Sequence, residues 1–320
     1  MNYKKIVVAG GGILGSQIAY QTAYCGYAVN ILVRKEDDQE AIKAKLDKLH
    51  STYVEAINAM SDNKELWCRG IADIDNFNKE ECLKNAEEAL IRIKIIDDQN
   101  TALDDADLVV ESITENIDVK AEFYKSIASL LPEKTVVVTN SSTLLPSKLA
   151  KFTGRPNKYL AMHFANSIWK NNISEIMKHS GTDDQYFNEI QEFAKSIKMI
   201  PLAAQEEKSG YLLNSMLVPF LLCAMDLLAN GVSDAQTIDK AWTLGTGAPK
   251  GPFQIMDTVG LETAKNIVLQ YQKVPDIIDP LLKKMMLPYN YDGMLEILNK
   301  YIEEGKLGKA AGEGFYKYDE

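Results

Sequence analysis

Hydrophobic and polar positions along this chain fall into two alternating patterns: short unbroken apolar runs, and longer stretches with helical periodicity. The segment KIVVAGGGILGSQIAYQTAYCG opens with the run Ile6 to Ala9 and turns through three glycines. It continues at helical spacing through Ile13, Leu14, Ile18, Ala19, Thr22 and Ala23, with Gly26 in a C-cap position. YAVNILV follows as a second strand, so the pattern reads strand, glycine turn, helix, strand. Parallel pairing of two such strands requires that crossover. IRIKII, ADLVVES, KTVVVTN, KYLAMHFA, NISEIMKH and KMIPLAA predict further strands, most of them rich in β-branched residues as buried parallel strands are.

Between these runs, DDQEAIKAKLDKLHSTYVEAINAM and NKEECLKNAEEAL predict two polar-faced helices arranged as a hairpin or arm. VKAEFYKSIASLL and DQYFNEIQEFAKSI predict crossover helices. From about Glu206 the pattern changes. SGYLLNSMLVPFLLCAMDLLANG, SDAQTIDKAWTLG and LETAKNIVLQYQ read as helices closed or capped by Gly231, Gly245 and Ser233 or Asp234, with no convincing strand among them. The expected fold is therefore α/β: a doubly wound Rossmann-type sheet with a helical hairpin over residues 1–205, then an all-α C-terminal domain over 206–320.

Composition narrows the partners. The chain has 320 residues, 46% hydrophobic and 25% charged, the make-up of a globular protein long enough for two domains. A formal net charge of -10 with no long basic run argues against nucleic acid or an anionic membrane as partner. The longest apolar run, MLVPFLLCAM, is about half of the roughly 20 residues needed to span a bilayer. Four scattered cysteines, Cys25, Cys68, Cys82 and Cys223, suit reduced thiols in the cytoplasm rather than a disulfide framework, and no residue cluster calls for a metal.

Gly10, Gly12 and Gly15 form G-x-G-x-x-G directly after a strand and at the start of a helix. The first permits the tight turn, the second lets backbone approach a pyrophosphate, and the third allows close helix–strand packing. A nicotinamide dinucleotide is thus expected on Gly10, Gly12, Ile13, Leu14 and Gly15. At the end of the second strand, where NAD readers carry an acidic residue for the ribose, stand Val33 and Arg34. Valine cannot accept a hydrogen bond, and a guanidinium suits a 2′-phosphate. The reading is NAD(P), with NADP favoured over NAD; the alternative leaves Arg34 in solvent and turns Glu36 or Asp37 back to the ribose.

Of three histidines, His50 in a polar helix and His179 in the polar KHSG turn are expected at the surface. His163 ends an apolar strand, the place where α/β folds put their ligands. TNSSTL ends another strand with successive hydrogen-bonding side chains. NISEIM sets Glu175 on the same strand face as Ile173 and Met177, and a buried carboxylate needs a partner such as an imidazole.

With these stretches in view, the chain resembles the L-3-hydroxyacyl-CoA dehydrogenases along essentially its whole length, through VVAGGGILGSQIA, ADLVVESITENIDVK, TNSSTL, HFANS, GAPKGPFQIMDTVGL and GKLGKAAGEGFYKY. The resemblance implies that His163 is the general base in oxidation and the acid in reduction, with Glu175 fixing the ring and stabilising the imidazolium. It implies that Ser142 and Asn214 bind the substrate oxygens, that Glu115, Lys120, Asn166 and Ser142 lie at the cofactor, and that the C-terminal domain builds a homodimer. Four departures from the family stand out: Val33–Arg34, HFANS in place of HFFNP, Ser215 where an Arg is usual, and Leu49 and Ala56 where a Ser and a Lys contact coenzyme A. The substrate is read as a 3-hydroxyacyl-CoA of the 3-hydroxybutyryl type. The alternatives are a small non-CoA hydroxy acid of the gulonate or carnitine kind, or a non-catalytic dinucleotide-binding protein.

Overall fold

The structure is a computed structural model that describes residues 3–272 and 289–318. It divides into two compact units, Met1–Leu212 and Leu213–Glu320. In the first, β1 (Lys5–Ala9), α1 (Ile13–Tyr24) and β2 (Ala28–Leu32) form the opening crossover. Then come the arm helices α2 (Gln39–Asp62) and α3 (Lys79–Arg92), β3 (Ile93–Ile96), α4 (Gln99–Leu103), β4 (Leu108–Glu111), α5 (Ile117–Ile127) and β5 (Val136–Thr139). The unit ends with α6 (Pro146–Leu149), β6 (Tyr159–Phe164), β7 (Ile173–Met177), α7 (Asp184–Ser196) and β8 (Ile200–Ala204).

The eight strands make one sheet in the order β3-β2-β1-β4-β5-β6-β7-β8, and only β6 and β7 pair antiparallel. The order reverses between β1 and β4, the switch point where doubly wound sheets bind their ligands. Strand periodicity explains the two helical layers. Ile6, Val8, Val110 and Val138 pack on one side with α1, the arm and α7. Val7, Val109 and Val137 pack on the other with Tyr124, Leu149 and Tyr159.

Helix starts follow local chemistry. Asp38 caps α2 through Ala41 N, and Asn78 caps α3 through Glu81 N. Three expectations shift. Gly245 does not close its helix but lies within it, and the helix Ala235–Thr246 is capped by Gly247 at a φ of 75°. IRIKII is not all strand, because Ile91 and Arg92 complete the last turn of α3 and pairing with β2 starts at Ile93. The helix expected from Ser209 begins at Leu213, because Gly210 and Tyr211 take left-handed conformations, with φ of 81° and 52°.

The second unit contains α8 (Leu213–Ala229), α9 (Ala235–Thr246), α10 (Pro252–Val259), α11 (Leu261–Gln272) and α12 (Tyr291–Glu303). Its core joins Leu221, Met225, Phe253, Leu261, Met294 and Phe315. Two buried carboxylates bind separate pieces of backbone. Asp239 accepts the amides of Phe253 and Gln254 at the start of α10, and Asp257 accepts those of Phe315 and Tyr316. Among the described residues no helix is long and apolar enough to cross a membrane.

Candidate active site

The glycine turn builds a cradle that side chains could not share. A Cβ on Gly15 would stand 2.1 Å from the Gly10 carbonyl oxygen, and one on Gly10 would stand 2.5 Å from that of Ser112. Among the described residues a Cβ on Gly12 would meet nothing within 4 Å, which leaves the open space that an approaching phosphate would need. Gly12 caps α1 without a side chain and no acidic residue sits in the first turn, where Ile13 and Leu14 stand, so the helix terminus is open to an anion. A cavity of about 900 Å³ opens here, lined by Gly10, Gly12, Val33, Arg34, Asp37 and Ser112 among others. These residues fit a dinucleotide.

At the end of β2, Arg34 is exposed and paired. Its Nη2 lies 2.7 Å from Asp37 Oδ1 and its backbone N–H donates to Asp37 Oδ2 at 2.9 Å. Burial works to raise the Asp37 carboxyl, but the side-chain and backbone bonds from Arg34 hold it below the ordinary range. Asp37 therefore turns back toward the strand end and ties up Arg34. Lys45, from α2, also lines the cavity and donates to the Gly11 carbonyl at 3.1 Å.

His163 and Glu175 are register partners across β6 and β7. Their side chains meet with Nδ1 3.1 Å from Oε2, where the imidazole is 13% and the carboxylate 2% exposed. An ionised carboxylate only accepts, so in the neutral ring Nδ1 carries the hydrogen and Nε2 the lone pair. Among the described residues Nε2 has no hydrogen-bond partner. The other Glu175 oxygen accepts the Leu212 amide at 2.9 Å. The Tyr211 ring stacks on the imidazole, with centroids 4.8 Å apart and planes 20° apart, while its hydroxyl donates to the Ser141 carbonyl at 2.7 Å. Burial, then the charges of Glu115, Glu175 and Glu111, push the Tyr211 phenol above its ordinary range, so it stays a donor. A left-handed aromatic costs roughly 1–2 kcal/mol.

Ser142 sits in a loop organised by one carboxylate. Glu115 Oε1 accepts from Ser141 Oγ at 2.6 Å, Ser142 N at 3.1 Å, Thr143 N at 3.0 Å and Thr143 Oγ1 at 2.8 Å. Burial works to raise the Glu115 carboxyl, but the Ser141 and Thr143 hydroxyls and the Lys120 charge outweigh it and hold it low. Lys120 is fully buried; its ammonium bonds Glu111 and lies 3.5 Å from Glu115 Oε2. Glu111 also accepts from Tyr124 at 2.8 Å and Thr139 at 2.7 Å. A buried charge survives only when satisfied in this way.

The loop after His163 is tied to the first helix. Asn140 Oδ1 accepts the Phe164 amide at 2.9 Å, and Gln17 Oε1 accepts the Ser167 amide at 2.8 Å. Asn166 is exposed, and its carbonyl accepts from Asn171. Asn214 lies in the first turn of α8, in the second unit. On α2, Leu49 is buried and Ala56 packs on the core, while Lys48 and Ser51 stand exposed.

Tyr211, Gln17, Asn140 and Glu111 complete this constellation, and sequence reasoning did not assign them roles. The matched register of Glu111 and Thr139 at two strand ends was the available signal for Glu111. One expectation is corrected: His179 is buried, because its own turn folds over it. Gly181 N donates to its Nδ1 at 3.1 Å and its Nε2 faces the Pro156 carbonyl at 3.0 Å. His50 is part-buried, against Tyr20 and Glu87.

Comparison with known proteins covers both units. The family model "3-hydroxyacyl-CoA dehydrogenase, NAD binding domain" matches residues 5–207, and the C-terminal domain model of the same family matches 210–318. The mitochondrial hydroxyacyl-coenzyme A dehydrogenase of Homo sapiens is 31% identical over 315 residues, covering 98% of this chain and 91% of that one. A 3-hydroxybutyryl-CoA dehydrogenase from Clostridioides difficile is 27% identical over 98% of this chain and 99% of its own. Among solved structures, a diketoreductase described by substrate-directed dual catalysis of dicarbonyl compounds superposes with a TM-score of 0.82 at 41% identity, covering 99% of this chain and 100% of that one.

Proposed function

The chain belongs to the 3-hydroxyacyl-CoA dehydrogenase family, and on that premise we propose that it interconverts the 3-hydroxyl and 3-keto groups of a 3-hydroxyacyl-CoA of the 3-hydroxybutyryl type. Membership makes it an oxidoreductase acting on CH–OH groups with a nicotinamide cofactor. That cofactor, when bound, supplies the hydride chemistry. The chain's own residues manage the proton and the substrate oxygens.

The observation that carries this reading is the His163–Glu175 pair. Glu175 takes Nδ1–H, so Nε2 is the atom that accepts the alcohol proton in oxidation and returns it in reduction. Glu175 then faces the imidazolium and offsets its charge. Ser142 would donate to the substrate oxygen, stabilising alkoxide character as it develops. The glycine cradle, with Ile13 and Leu14, would hold the pyrophosphate. Arg34, Asn166 and Glu115 would hold the rest of the dinucleotide, with Lys120 acting through Glu115. The test follows reduced-cofactor absorbance with acetoacetyl-CoA: wild type turns over, and His163→Gln loses at least about a hundredfold in kcat with cofactor Kd unchanged. Normal turnover by His163→Gln overturns the reading.

For cofactor choice the proposal is NADP. Val33 replaces the ribose-reading acid, and Arg34, Lys35 and Lys45 line the same cavity, so a 2′-phosphate that displaces Asp37 from Arg34 finds three cations. Tighter binding of NADPH than NADH, lost in Arg34→Ala, supports it; tighter NADH binding returns the role to Asp37. Exposed Met216, Val232, Trp242 and Leu244 on the second unit support a homodimer, tested by light scattering. The four free cysteines fit a reducing cytoplasm.

A second reading has its own support. The 41% identical neighbour is a diketoreductase of dicarbonyl compounds, and Leu49 and Ala56 offer no polar group to a coenzyme A handle. Under the first reading Lys48 and Ser51, exposed on α2, take that place. Turnover of free dicarbonyls but not of acetoacetyl-CoA selects the second.

A further inference from the structure

We propose that Tyr211 is a positioning residue for His163, holding the imidazole by its face while Glu175 holds it by its edge; this rests on His163 being the proton-exchanging group. One hydrogen bond from Nδ1 to Glu175 leaves the ring free to swing about that bond, and Nε2 would swing with it. The stacked phenol ring, 4.8 Å away at 20°, removes that freedom and covers one face from water.

The backbone is bent to deliver this contact. Gly210 and Tyr211 are successive left-handed residues, and non-glycine residues held there cluster at functional sites. The turn has three fixed points beside the dyad. Tyr211 N–H donates to the Lys208 carbonyl at 3.0 Å, its hydroxyl to the Ser141 carbonyl at 2.7 Å, and the next amide, of Leu212, to Glu175 Oε1 at 2.9 Å. Tyr211 thus ties the base to the loop that presents Ser142, because the carbonyl accepting its hydroxyl is that of Ser141. The ring sets the tilt of the imidazole, the left-handed turn sets the position of the ring, and the hydroxyl adds a tie to the Ser142 loop.

The experiment compares Tyr211→Phe, Tyr211→Leu and Tyr211→Met, with His163→Gln alongside, in acetoacetyl-CoA reduction and in NMR of the His163 ring protons. Tyr211→Phe keeps the stack and retains kcat within a few-fold. Tyr211→Leu and Tyr211→Met lose about ten- to a hundredfold in kcat, with NADPH and NADH dissociation constants unchanged. In both, the His163 ring protons lose the upfield ring-current shift that wild type and Tyr211→Phe share. Wild-type turnover or unmoved His163 resonances in either aliphatic variant overturns the inference. Inactive His163→Gln beside active Tyr211→Leu defeats the role of Tyr211 alone; active His163→Gln defeats the base assignment and this inference together.

Discussion

Ser167 donates its amide to Gln17 Oε1 across 2.8 Å while holding a left-handed φ of 57°. Both features exclude proline, which has no N–H and a φ near −65°. The family's HFFNP carries that proline, so HFANS belongs to a loop of another shape, and the dinucleotide helix that contains Gln17 braces it directly.

Ser167→Pro should therefore be strongly disruptive, costing more than about 1 kcal/mol of stability and lowering turnover. Ser167→Gly, which keeps both the amide and the left-handed backbone, should stay within about 0.5 kcal/mol of wild type. Urea unfolding of the two variants checks this, and a stable Ser167→Pro would show that the loop has no need of its present conformation.

Glu175→Gln offers His163 an amide that can donate to Nδ1, which favours the tautomer with hydrogen on Nε2. That tautomer cannot accept the alcohol proton. A fall in kcat of about a hundred- to ten-thousandfold is expected, with cofactor affinity kept. Equal losses of kcat and of NADPH or NADH binding would instead mean that the carboxylate supports the fold of the cleft.

The sequence shows the sheet well because the strands buried on both faces are unbroken apolar runs: VVV at β5 cannot be placed in solvent on either side. His163 and Glu175 were legible because a buried acid on a strand demands a partner, and an antiparallel register brings one within reach. Contacts between distant segments left no such trace. Gln17 and Ser167 are 150 residues apart, and nothing local in the chain marks either as the partner of the other. Tyr211 falls in a stretch with helical periodicity, and its left-handed turn is set by the carbonyl and carboxylate it reaches. His179 was misjudged because polar neighbours suggest solvent, yet in a tight turn they can instead satisfy the ring.

Lys120 and Glu111 form a buried ion pair, exposed 1% and 0%. Lys120→Met should cost about 3–5 kcal/mol, since it leaves Glu111 charged and uncompensated. Adding Glu111→Gln should recover part of the loss, because the neutral amide no longer needs the ammonium. Thermal melts of single and double variants measure this coupling, and additive losses would mean that the two groups are stabilised separately.

Glu115 makes the acid side of the stability curve a readout of the Ser142 loop. Its folded carboxyl is held below the unfolded value of about 4.3, so its contribution is complete above that value. It is lost as pH falls through the lower folded value, when protonation weakens the bonds from Ser141, Ser142 and Thr143. Wild type should therefore lose stability on acidification over that window more steeply than Glu115→Gln, which has no carboxyl there to titrate. At neutral pH the variant should be the less stable of the two and should turn over more slowly, because the amide accepts these donors less strongly and Ser142 is less firmly placed. Melting temperatures measured for both proteins from neutral pH down to about pH 3 provide the test. Parallel curves would separate Glu115 from the stability of the loop and leave it a contact for the cofactor alone.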